Sequence, residues 1–114
     1  EDIKIFADIQ VKHTYPLLDC IPLEESAKWA ISNMADALIV TGAETGKAAS
    51  LDDLLRVKRI SSIPVVAGVT AENVKDQYQV CDGAIVGSSL KATHNVAVPI
   101  DAELARRFMN AVRQ

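Results

Sequence analysis

Four times along this chain a short apolar run gives way to a segment of helical period, and that alternation limits the fold to a few architectures. Ile3, Ile5, Ala7, Ile9 and Val11 alternate with Lys4, Phe6, Asp8, Gln10 and Lys12. A period of two predicts a strand. Ala37–Val40, Pro64–Ala67 and Gly83–Val86 are short and almost wholly apolar, as parallel strands covered on both faces are. Strands are therefore expected near residues 3–11, 36–41, 64–68 and 83–87. Leu23–Met34 carries Ala27, Ala30, Ile31 and Met34 at helical spacing, with Glu24 and Glu25 in the first turn, where acidic groups suit the helix dipole. Ser50 is placed to cap a helix bearing Leu51, Leu54, Leu55 and Val57, with Asp53 three residues on. Thr70 is read as the cap of a helix over Asn73–Val80. Asp101 is read as the cap of a last helix with the stripe Leu104, Phe108, Met109 and Val112.

Strands alternating with helices imply an α/β fold with a parallel sheet and right-handed crossovers. Four units in one segment, residues 1–114, make a parallel (β/α)4 half of a TIM barrel, which needs eight. The alternative is a small doubly wound sheet of flavodoxin type. Two glycine turns favour the half barrel. Val65-Val66-Ala67-Gly68-Val69-Thr70 and Ala84-Ile85-Val86-Gly87-Ser88-Ser89 each run a strand into a glycine and then into hydroxyl groups. A glycine lets an anion approach backbone N–H groups with no Cβ in the way, and a following helix start favours negative charge. Gly68, Val69, Thr70, Gly87, Ser88 and Ser89 are thus candidate phosphate-binding residues. The plainer reading of the same glycines is a tight strand-to-helix turn.

The net charge of −3 offers no basic footprint for nucleic acid. Arg56, Lys58 and Arg59 read as a solvated helix face. No apolar run is long enough to span a bilayer. No signal peptide stands at the start, and the opening Glu1-Asp2 without a Met is that expected of a fragment or a processed product. Cys20 and Cys81 lie far apart with no ligand spacing, so no metal site is expected and both read as free thiols. The sequence names no cofactor.

Asp8, Lys12 and His13 cluster at the end of the first strand. A carboxylate facing the mouth of a barrel can exchange a proton, and a lysine beside it can hold it ionised or meet an anionic substrate. These three are the candidate catalytic residues. The competing reading of Asp8 and Lys12 is a structural polar pair. Thr41-Gly42-Ala43-Glu44-Thr45-Gly46-Lys47 has three residues between its glycines and Ala48 after the lysine, which fails the P-loop spacing. Thr41, Gly42, Thr45 and Gly46 instead read as a substrate loop over the mouth. Lys91 is placed to add charge to the anion site, His94 reads as a surface residue, and Trp29 reads as core or interface packing.

Phe6–His13, Ala35–Gly42, Thr45-Gly46, Pro64–Asn73 and Asp82–Lys91, in this order and spacing, resemble the C-terminal half of the BtpA/SgcQ family. The resemblance covers nearly the whole chain and implies a TIM barrel of ribulose-phosphate-binding style. It also implies an N-terminal half that supplies the first four strands, and a role like photosystem I biogenesis with peripheral membrane association. Two functions follow as expectations. One is an enzyme-type barrel acting on a small phosphorylated or anionic metabolite by isomerisation, aldol cleavage or hydrolysis. The other is a non-catalytic assembly factor using the barrel as a platform. A cytoplasmic location is expected, with homo-oligomerisation or pairing with the N-terminal half to cover the open sheet edges.

Overall fold

The computed structural model describes residues 2–11, 21–42 and 47–113. The elements follow in the order β1 (Phe6–Asp8), α1 (Leu23–Ser32), β2 (Ala37–Val40), α2 (Leu51–Ile60), β3 (Val65–Gly68), α3 (Val74–Gln77), β4 (Gly83–Ile85), two 3-10 turns (Ser88–Leu90 and Ala92–His94) and α4 (Ala102–Arg113). The sheet has the order β1-β2-β3-β4 and every neighbouring pair is parallel. This is an α/β fold, consistent with half of a (β/α) barrel. A doubly wound sheet would reverse its strand order at a switch point, and no reversal occurs here. Crossovers between neighbouring parallel strands that all progress in one direction bring their helices to the same face, and residues of α1, α2 and α3 share one core.

Alternation along the strands separates the two faces. Ile9, Leu38, Val40, Val65 and Ala67 pack with Leu23, Ala27, Leu54, Val57, Val74 and Phe108 in the core under the helices. The register pairs Asp8 with Ile39, Ile39 with Val66 and Val66 with Gly83. That row, with Phe6 and Ala37 at its foot and Thr41, Gly68 and Ile85 at its top, forms the other face. No helix covers it. Phe6 is 56% exposed and Ile85 48%.

The first strand is shorter than its alternation predicts. Pairing reaches from Ile5, whose carbonyl accepts the Asp36 N–H at 2.8 Å, to Ile9, whose N–H reaches the Ile39 carbonyl at 3.1 Å. Gln10 then takes φ 52° and turns the chain away. Its side chain holds the turn through the Ile21 carbonyl at 2.9 Å. A left-handed conformation at a non-glycine residue ends a strand. The N-terminal ends carry a repeated clamp. Asp36 Oδ2 accepts the Ile5 N–H and Asp82 Oδ2 accepts the Val65 N–H, each at 2.8 Å. Each aspartate precedes one strand and fastens the start of the strand before it.

The helix signals hold with corrections. Ser50 Oγ accepts the Asp53 N–H at 3.0 Å. Asp101 Oδ1 accepts the N–H groups of Glu103 and Leu104. Thr70 does not cap α3. Its own N–H donates to Asn73 Oδ1 at 2.8 Å, closing a turn ahead of a four-residue helix. Leu51 and Leu55 are exposed, because Leu54 and Val57 face the core instead. Trp29 is 51% exposed, so core packing is excluded for it. Arg56 and Lys58 are not a free solvated face. Arg56 grips the Glu24 carboxylate with two nitrogens at 2.7 and 2.8 Å, tying α2 to α1, and Lys58 pairs with Asp82.

Candidate functional site at the strand ends

Parallel strands present their C-terminal ends together, and loops placed there collect chemistry. On the open face the fold brings Asp8, Thr41 and Gly68 into one cluster. Asp8 stands on β1 and Thr41 follows β2. The Thr41 hydroxyl donates to Asp8 Oδ1 at 3.3 Å. Gly68 ends β3 against Thr41. A Cβ there would lie 3.4 Å from Thr41 Cγ2, an ordinary contact. A carboxylate, a hydroxyl and a bare backbone position thus share one edge of the mouth.

Gly42 serves a different purpose. A Cβ on it would collide with the carbonyl oxygens of Lys47 and Ala48. Glycine is required so that the two arms of the β2–α2 loop can touch. Lys12, His13, Thr45 and Gly46 lie outside the described residues.

The two glycine turns are neighbours, as their spacing suggests, but they are not alike. In the first, Val69 N–H donates to the Ile85 carbonyl at 3.0 Å and Thr70 N–H to Asn73 Oδ1. Those donors serve the fold itself. In the second, Gly87 has φ −138° and open space where a Cβ would stand. Among the described residues, the N–H groups of Gly87, Ser88 and Ser89 donate to none. Ser89 is buried, and its Oγ accepts the Ala71 N–H at 3.4 Å. It braces one turn against the other. Lys91 Nζ donates to the Val96 carbonyl at 2.5 Å.

A cavity of about 410 Å³ lies beside this edge, lined by Gln10, Thr41, Gly42, Asp53 and Arg56 among others. No local pattern announces Arg56 here, since its partner Glu24 is 32 residues away. Its charge is already matched by Glu24 and by Asp53 at 3.2 Å. The Arg56 guanidinium in turn pulls the Glu24 carboxyl down to about 2. Lys58 and the Val65 N–H likewise hold Asp82 below the usual carboxylate range. Burial raises the Cys81 thiol, which keeps it protonated and unreactive at neutral pH. Among the described residues no cluster of His, Cys, Asp or Glu could hold a metal ion, and no helix is long and apolar enough to cross a membrane.

The chain is 37% identical over 108 residues to an uncharacterised protein of Pyrococcus furiosus, covering 92% of this chain and 40% of that one. It is 35% identical over 115 residues to an uncharacterised mitochondrial protein of Caenorhabditis elegans, covering 98% and 41%. It is 32% identical over 116 residues to the Photosystem I biogenesis protein BtpA of Synechocystis, covering 99% and 40%. The chain therefore spans about two-fifths of the length of these relatives. No solved structure matches it significantly. The sequence model of the BtpA family matches residues 1–114, and the chain belongs to the BtpA family.

Proposed function

We propose that the C-terminal edge of the sheet binds a small phosphorylated or otherwise anionic metabolite and that Asp8 exchanges a proton with it. The observation that carries this reading is the Asp8 carboxylate on the uncovered face, held by the Thr41 hydroxyl at 3.3 Å beside the bare Gly68. A carboxylate on a strand facing the inside of a parallel barrel is costly unless it works or is paired. Thr41 supplies one hydrogen bond to it. Lys12 and His13, next along the chain, belong to the same catalytic proposal, and Thr45 and Gly46 to the substrate loop. The anion is held by the Gly87–Ser89 turn, whose N–H groups would give charge-assisted hydrogen bonds. Gly68, Val69 and Thr70 shape the adjoining wall. Isomerisation, aldol cleavage and hydrolysis each use a proton-transferring carboxylate at a fixed distance from an anion anchor.

Gly87→Val tests the anchor. Nothing lies within 4 Å of a Cβ at this position, so the side chain meets no clash and fills the approach, while φ −138° and ψ −80° suit glycine better than valine; far-UV circular dichroism therefore checks the fold of the variant first. Calorimetry with inorganic phosphate and a panel of phosphosugars should show binding weakened at least about tenfold, roughly 1.4 kcal/mol. Equal binding by a folded variant removes the anchor from the proposal.

A second reading follows from the name of the Synechocystis relative, a photosystem I biogenesis protein. In it the chain is part of a non-catalytic platform for assembly. Loss of partner capture on substitution of exposed helix residues such as Trp29, with Asp8→Asn silent, would favour the platform over the enzyme.

A further inference from the structure

We propose that Gln77 is a positioning residue for the strand-end edge: its side-chain amide holds the Ala49 backbone, and through Ala49 it fixes how Gly68 and Thr41 stand beside Asp8. Gln77 lies on α3 and is only 3% exposed. Glutamine is mostly a surface residue, and burying its amide is costly unless the polar groups are bonded. The two halves of this amide differ. Nε2 donates to the Ala49 carbonyl, 28 residues earlier in the chain. Among the described residues the buried Oε1 has no partner. An apolar side chain of the same length would fill this space without stranding an oxygen. What it could not supply is the donor.

Ala49 is a junction. It is buried and directly precedes Ser50, the cap of α2. Its N–H donates to the Gly68 carbonyl at 3.0 Å, and its carbonyl takes the Gln77 amide. Just before it, the Lys47 and Ala48 carbonyls stand against Gly42. Gly68 in turn faces Thr41, whose hydroxyl donates to Asp8. Residues 47–49 thus touch the ends of β2 and β3, and the Gln77 side chain ties them to α3.

The mount of that side chain is stiff. The Gln77 N–H donates to the Asn73 carbonyl at 3.1 Å, and the Gln77 carbonyl accepts the N–H groups of Val80 and Cys81, each at 3.0 Å. Asn73 also holds the Thr70 N–H, which fastens α3 to the turn after β3. Neither edge strand supplies a group to the Gln77–Ala49–Gly68 clasp, which therefore stands whatever lies against the sheet edges. The consequence for Asp8 rests on the role proposed for that residue; the clasp does not.

Nuclear magnetic resonance on the native full-length protein tests this. In the wild type the Gln77 side-chain amide protons should exchange with solvent at least about tenfold more slowly than those of the exposed Asn110. Gln77→Met keeps the length of the side chain and removes the donor. In it the Ala49 amide should exchange at least about tenfold faster relative to the amides of β3, and the Thr41 methyl signal should shift. Val74→Ala is the comparison. It removes a buried contact from the same helix and leaves both hydrogen bonds of Ala49 in place, so the amides of Ala49 and β3 should change together. Gln77 amide protons that exchange as freely as those of Asn110 overturn the proposal, whether or not Gln77→Met folds. So does an Ala49 amide or a Thr41 methyl that Gln77→Met leaves as in the wild type, or that Val74→Ala changes equally. No ligand enters the measurement, so failure of the anion site would not disturb it.

Discussion

Single residues hold this fold at its helix layer by charge and at its strand ends by shape. Glu24 carries the clearest electrostatic signature. Its carboxyl titrates at about 2 in the folded chain against an ordinary value of 4.5, because two Arg56 nitrogens donate to it. A carboxyl whose folded value is depressed contributes stability above its unfolded value and loses it as pH falls through the folded one. The stabilisation is therefore complete above about pH 4.5 and disappears toward pH 2. Asp82 acts in the same direction. Urea midpoints taken from pH 7 to pH 2 should fall across that window. In Glu24→Gln the fall should be shallower and the midpoint at pH 7 lower. The clusters formed by such residues were only partly legible in the sequence. Asp8 and Thr41 are each visible at a strand end, but their contact needs the parallel register of β1 and β2. The pairing of Arg56 with Glu24 joins two helices, and no local period encodes it. Gly42 was visible as a loop glycine, whereas its reason, the backbone of Lys47 and Ala48 pressed against it, is tertiary.

The elements themselves are well marked where a side chain acts on its own neighbours. Ser50 and Asp101 accept N–H groups two or three residues ahead, and such local bonds are written in the sequence. Ser50→Ala should cost about 1 kcal/mol, within the 0.5–2 kcal/mol range of lost caps. Chemical denaturation checks this, and Ser50→Asn should restore most of the loss. Thr70 looked equivalent and is not, because its N–H donates to the Asn73 side chain, and the helix begins at Val74 and ends early at Gln77. Two side chains competed for one turn, and spacing alone did not rank them. The end of β1 was similarly hidden. Alternation continues to Val11, while the left-handed backbone at Gln10 breaks the strand first. Of the stripe read on the last helix, Phe108 is the buried anchor, whereas Met109 is 44% exposed.

At the scale of the molecule, strand order was the inference that spacing alone left open between a half barrel and a doubly wound sheet. The sequential order β1-β2-β3-β4 is consistent with half of a (β/α) barrel. That order also has a bearing on how the chain is made. Among the described strands, β2, β3 and β4 each pair with the strand synthesised just before them. The clamps at Asp36 and Asp82 act backward, each latching the strand that precedes it. Loops closed between consecutive units are short, and short closures form fastest. A nascent chain is thus expected to dock one strand–helix unit at a time as it leaves the ribosome. Chains arrested once Ala35–Gly42 has emerged should already protect β1 from a protease, and Asp36→Ala should delay that protection until more of the chain is out.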